Sequence, residues 1–153
     1  MKRIPLTQGK HALVDDADYE ALSKFKWCFN GRYAVRPKPR PMTGGIRMHR
    51  EIIGTPVEKD TDHINGDKLD NRRSNLRVCT RSQNMANVGK LKNNSSGFKG
   101  IHWHVAGENW IAYIKINGKK RHLGCFADIK EAAQAYNEAA KQLFGEFANL
   151  NKV

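Results

Sequence analysis

At 153 residues the chain has room for one ordinary domain or two small ones, and a formal charge of +12 with a pI near 9.9 points to a polyanionic partner, nucleic acid first among them. No stretch is long and apolar enough to span a membrane, and the opening Met1-Lys-Arg-Ile-Pro lacks the apolar core of a signal peptide. Cys28, Cys79 and Cys125 are far apart and odd in number, which excludes a zinc cluster or a disulfide-stapled scaffold and fits a reducing cytosol.

Residues 1–48 read as a small basic α+β region. Ile4 to Leu6 and His11 to Val14 are strand-like around Gly9, and Asp15 or Asp16 suits the start of a short helix reaching Phe25. Trp27 to Phe29 and Tyr33 to Val35 predict a hairpin with Asn30-Gly31 as a two-residue turn. Pro37 to Gly45 reads as a loop. Lys24 to Arg50 holds eight Lys or Arg and no Asp or Glu, so this face is either solvated or turned to phosphates. The polar stretch from Asp62 to Asn84, into which it leads, favours phosphates.

Met48-His49-Arg50-Glu51-Ile52-Ile53 predicts a short helix closed by Gly54 and blocked by Pro56. An extended run then ends at Asp62-His63, a polar loop continues from Asn65 to Asn75, and Leu76 to Cys79 forms a second strand. Thr80 with Gln83 has the capping-box pattern of a helix start, and Gly89 stands where a left-handed cap belongs. Strand, loop, strand and helix in this order can bring an aspartate and a histidine at a strand end opposite an asparagine on the helix. Asp62 and Asn84 offer oxygen donors of the kind a hard divalent cation takes. His63 points to the other side of its strand, where a neutral imidazole can accept a proton from water near pH 7. Asn75 can hydrogen-bond backbone on both sides of the loop and hold it shut. Two blander readings compete: a cluster of turn formers, and a calcium loop. The calcium loop fails because Gly66 comes one place late and the twelfth position is Asn71 rather than Glu.

Asp62-His63, Asn-Gly-Asp, Asp-Asn-Arg, Asn75-Leu-Arg and Asn84 together resemble the HNH nucleases, in particular the phage and intron-encoded homing endonucleases, whose active site is a ββα-metal fold. The resemblance implies His63 as general base, Asp62 and Asn84 as metal ligands, and Asn75 as the residue that orients the loop. It also implies a divalent ion, Mg2+ with Mn2+ or another divalent ion as alternatives. Asn84 replaces the last histidine of the family name, as in many homing members. His49 resembles a histidine found upstream in relatives, with packing, phosphate contact or ligation all open. Lys68, Arg72, Arg73, Arg77 and Arg81 supply cations around the motif, the arginines being suited to paired phosphate oxygens.

Gly89 to Gly97 reads as a polar, basic linker, either a tether or an arm that lays Lys90 and Lys92 on phosphates. Beyond it, Lys99 to His104, Trp110 to Ile116 and Arg121 to Phe126 predict three strands, the last two joined at Asn117-Gly118. Asp128 and Glu131 open a helix that buries Ile129, Ala132, Ala133, Tyr136, Ala140 and Leu143 on one face and ends at Gly145. Trp110, Tyr136 and Phe144 read as core. The sheet face away from the helix should carry Lys99, His102, His104, Tyr113, Lys115, Lys120 and His122. A metal site made of His102, His104 and His122 is the competing reading. Gly-Phe-Lys-Gly-Ile, Leu-Gly-Cys-Phe, the alanine-rich helix and Ala-Asn-Leu-Asn make Ser96 to Asn151 similar to the ethylene-response-factor (APETALA-type) DNA-binding domain. That likeness implies a sheet docked in the major groove of double-stranded DNA, with His, Tyr and Lys where the family often has Arg and Trp.

The expected fold class is α+β: a ββα-metal (HNH) nuclease domain followed by a three-stranded antiparallel sheet packed on one helix. The expected divisions are 1–48, a basic α+β region; 49–89, the nuclease core; 90–97, the linker; and 98–151, the DNA-binding domain. The expected activity is metal-dependent, site-specific DNA cleavage of the homing type, one strand at a time, by a cytoplasmic monomer or weak dimer encoded by a phage or mobile element. The rival expectations are a non-enzymatic DNA-binding regulator with a degenerate nuclease fold and an RNA-binding protein.

Overall fold

Ile4, Ala12 and Val14 turn inward from an antiparallel hairpin made by β1 (Lys2–Pro5) and β2 (His11–Val14), and α1 (Asp16–Ser23) comes directly after. The computed structural model describes residues 1–90 and 93–153. Its contacts divide the chain into two units, Met1–Thr80 and Arg81–Val153.

In the first unit, β3 (Cys28–Phe29), β4 (Ala34–Pro37) and β5 (Gly45–Arg47) form a three-stranded antiparallel sheet. The sequence suggests a two-residue turn at Asn30-Gly31, but the connection is four residues long. Asn30 Oδ1 accepts from the amides of Arg32 (3.1 Å) and Tyr33 (2.8 Å), so a side chain satisfies amides that a tight hairpin would have paired. β5 lies at the end of a segment that composition marks as loop; its pairing with β4 is a tertiary contact that local residue preference does not encode. α2 (Met48–Ile53) is closed by Gly54 in the left-handed conformation, as expected. β6 (Asp60–His63) and β7 (Leu76–Cys79) then pair antiparallel, setting Asp62 against Arg77 and His63 against Leu76. All of these elements share one core, in which Ile4, Val14, Leu22, Trp27, Met48 and Leu76 are buried together. The long β6–β7 loop is fastened to β2 from behind: Leu13 N donates to Leu69 O and Asn71 N donates to Leu13 O, both at 2.8 Å.

The second unit starts with α3 (Arg81–Asn87). Gly89 stands two residues later and is not in the left-handed region, unlike the cap the sequence suggests. β8 (Ile101–His104), β9 (Asn109–Ile116) and β10 (Lys119–Phe126) form an antiparallel sheet in the order β10-β9-β8. Asn117 and Gly118 both have positive φ, as a tight primed turn requires. α4 (Ile129–Phe144) is capped by Asp128, whose carboxylate accepts from Lys130 N and Glu131 N. Its alanines, with Tyr136 and Phe144, pack on Ile101, Ala112 and Ile114. The α+β expectation, including the three-stranded sheet backed by one helix, is borne out.

Candidate active site and nucleic-acid interface

The end of β6 carries the expected pair, and alternation sends the two side chains different ways. Asp62 is 1% exposed, and Oδ2 accepts from Arg77 Nε at 3.0 Å and Nη2 at 2.9 Å. The pairing stems from strand register, since Arg77 stands directly across from Asp62. His63 is fully buried, with Nε2 lying 3.2 Å from Asn71 Oδ1. Asn71 Nδ2 donates to Leu69 O, which fixes the orientation of the amide and leaves its oxygen to face the imidazole. Nε2 therefore carries the ring proton and the basic lone pair sits on Nδ1.

The imidazole is lodged among other rings. His49, buried on α2, meets it edge-on with centroids 4.9 Å apart, and Tyr33 packs on His49 at 4.9 Å and lies 6.2 Å from His63. Burial pushes the His63 pKa down against the opposing pull of its Asn71 hydrogen bond, so the ring is neutral at pH 7. Burial, helped by His63, Arg47, Arg50 and Lys68, takes His49 to about 3. Loss of water lowers Lys68 as well, while Asp62 pulls the other way.

Asn75 spans the loop. Its Oδ1 accepts from Asn65 N at 2.9 Å and its Nδ2 donates to Asp70 O at 2.8 Å. Asp70, 2% exposed, anchors the same loop by accepting from Asn65 Nδ2 and from Arg72 Nε and Nη2, and the Arg72 hydrogen bonds hold its carboxyl below the usual range. Arg73 is paired with Asp18 on α1, and its amide donates to Asp15 Oδ2. Thus Arg72, Arg73 and Arg77 each hold a carboxylate of the first unit, although Arg72 and Arg73 keep exposed surface. Asn71, His49, Tyr33 and Asp70 are site residues that sequence reasoning leaves unassigned; the Asp-Asn-Arg run is the one signal for Asn71 and Asp70.

Asn84 and Arg81 lie on α3, in the second unit, and Asp62, His63 and Asn75 lie in the first. Lys90 is exposed, and Lys92 falls outside the described residues. On the open face of the sheet, Tyr113 stands opposite His122 and Lys115 opposite Lys120. His102 meets the Tyr113 ring at 5.2 Å, and Lys120 Nζ sits 4.5 Å from its centroid. His104 is exposed at the end of β8. Lys99 goes elsewhere: its ammonium donates to Ala86 O and Val88 O, both at 2.5 Å, at the carboxyl end of α3. Burial brings its pKa down to about 8. Carbonyls at a helix end, which have no intrahelical amide to accept from, attract this cation, which strand alternation alone does not foresee. Among the described residues no three His, Cys, Asp or Glu side chains converge as a metal cluster, and no helix is long and apolar enough to cross a membrane.

A family model described as HNH endonuclease matches residues 54–86, which span β6, β7 and most of α3. An uncharacterized HNH endonuclease of Acanthamoeba polyphaga mimivirus is 33% identical over 95% of this chain and 77% of its own length. Protein 3.8 of Escherichia phage T7 is 31% identical over 65% of this chain and 84% of its own. Dehydration-responsive element-binding protein 2A of Arabidopsis thaliana is 38% identical over 44% of this chain, but only 20% of the plant protein is covered. No solved structure matches the chain.

Proposed function

Because the chain belongs to the HNH endonuclease family, we propose that it is a metal-dependent, site-specific DNA endonuclease of the homing type that nicks one strand of a duplex. The observation that carries the reading is His63: a buried, neutral imidazole at a strand end, its tautomer set by Asn71, next to a carboxylate held by Arg77. His63 Nδ1 takes a proton from the attacking water. Asn75 keeps the loop closed, so the imidazole and the Asp62 carboxylate leave the strand pair in fixed directions.

A carboxylate and an amide oxygen are the donor chemistry a hard divalent cation accepts, with water completing its shell. Asp62 and Asn84 would hold the ion, Mg2+ by preference, and it would supply charge stabilisation at the phosphate and the leaving oxygen. Lys115, Lys120, His102, His104, His122 and Tyr113 are the proposed DNA-reading face, consistent with the likeness to the plant DNA-binding proteins. Arg81 and Lys90 are proposed backbone contacts. One active site per chain makes a nick the product of a monomer; a dimer would cut both strands. The setting we infer is the cytoplasm of a host cell, with a phage or mobile element as the source.

Purified protein with Mg2+ or Mn2+ should convert supercoiled plasmid to open circles, and EDTA should stop it. His63→Ala should lose at least about 100-fold in rate while binding DNA as before. Undiminished cutting by that variant removes His63 from the chemistry. Tight, salt-dependent binding without nicking under any divalent ion identifies a regulator instead.

A further inference from the structure

The arginines of the β6–β7 region are spoken for. Arg77 holds Asp62, Arg72 holds Asp70, Arg73 holds Asp18, and Arg36, further back, holds Glu51. Arg50 donates to the carbonyls of Lys59, Thr55 and Pro56 and so serves the chain's own backbone. Two others differ. Arg32, on the β3–β4 connection, and Arg47, at the end of β5, are exposed and have no carboxylate partner among the described residues. Each guanidinium lies 5.2 Å from the centroid of the same ring, Tyr33. That ring is the outer member of the stack that runs through His49 to His63. Gathering two cations on one half-buried ring without an acid costs mutual repulsion, which an anion received there would relieve. Guanidinium donors match phosphate oxygens, and an aromatic ring beside them packs on sugar or base.

We propose that Arg32, Arg47 and Tyr33 form a seat for a DNA backbone phosphate beside His63, a role the sequence assigns to the arginines of the β6–β7 region. The seat rests on the nuclease reading for its place in cleavage, but not for its affinity for DNA. Arg32 and Arg47 hold the phosphodiester from the β3–β5 sheet while His63 stands on the separate β6–β7 pair. The turn fixed by Asn30 sets the positions of Arg32 and Tyr33, and Arg47 reaches the same ring from the end of β5.

The test compares the full-length protein with R32Q/R47Q, R32K/R47K and, as a control for net charge, R3Q/K10Q, which removes two other exposed cations of the same unit that lie outside the basic stretch 24–50. Duplex binding is measured against salt, and nicking under single-turnover conditions. For R32Q/R47Q the slope of log affinity against log salt should shrink by about two, and the nicking rate should fall about 100-fold. R32K/R47K should regain the slope but only part of the rate, because an ammonium lacks the paired donors. R3Q/K10Q should nick within about twofold of the parent, small against the loss expected of a missing transition-state donor. An R32Q/R47Q variant that matches the parent, or falls no further than R3Q/K10Q, overturns the seat. If the parent protein does not nick, the nuclease reading fails by itself and the salt slopes still decide the seat.

Discussion

His49 shows what burial does to one side chain. It is 3% exposed, and its pKa of about 3 lies below the ordinary 6.5. Between these values the unfolded chain takes a proton that the folded chain refuses, so folding loses stability as pH falls below 6.5. His63, shifted in the same direction, adds to the loss. Urea unfolding of the first unit, followed through Trp27 fluorescence, should reveal about 1–2 kcal/mol less stability at pH 5 than at pH 7 on His49's account. His49→Phe, which keeps a ring against His63, should flatten that dependence; an unchanged pH profile would contradict the assignment. The Asp62-His63 pair and Asn75 are legible in the chain because their spacing is itself the pattern. Tyr33 and Asn71 are not, since what gives them meaning is a ring stack and a tautomer, both made by residues distant in sequence.

At the level of elements, period and turn chemistry carry the reading furthest where structure is local. The β9–β10 hairpin and the capped α4 are both made this way, from neighbours along the chain. Short strands that exist by pairing, such as β5, escape because their residues alone do not prefer the conformation. One joint depends on a single atom's absence. Gly100, just before β8, has φ +78°, and a Cβ there would lie 2.4 Å from the Tyr136 ring and 2.6 Å from Tyr113 O. Backbone strain and overpacking act together at this position. Gly100→Ala should cost the second unit roughly 3 kcal/mol, seen as a lower melting temperature. A variant as stable as the parent would show that β8 and α4 have room to part.

Over the whole molecule, two cores account for the two units, one built around Trp27, Met48 and Leu76 and the other around α4 and its sheet. Composition suggests a break at the polar run 90–97, whereas contacts divide the chain after Thr80. The physical reason is that α3 buries Ala86 in the second core, receives Lys99 on the carbonyl of Ala86 and on that of Val88 just beyond its end, and is bound by Asn149, whose backbone amide donates to Ala86 O and whose Nδ2 donates to Asn87 O. None of these ties is visible in a seven-residue helix that reads as the tail of the nuclease motif.

Those ties dictate where such proteins can be recombined. A chimera joined in the 90–97 stretch would inherit a foreign second half and orphan the helix from the lysine and asparagine that grip it. Crossovers at Thr80 and Arg81 keep these grips within one parent. Hybrids of the first kind should therefore express poorly or show rapid amide exchange across residues 81–87, and hybrids of the second kind should not. Shuffling among viral relatives would be expected to respect the same seam, passing Asn84 along with the second unit.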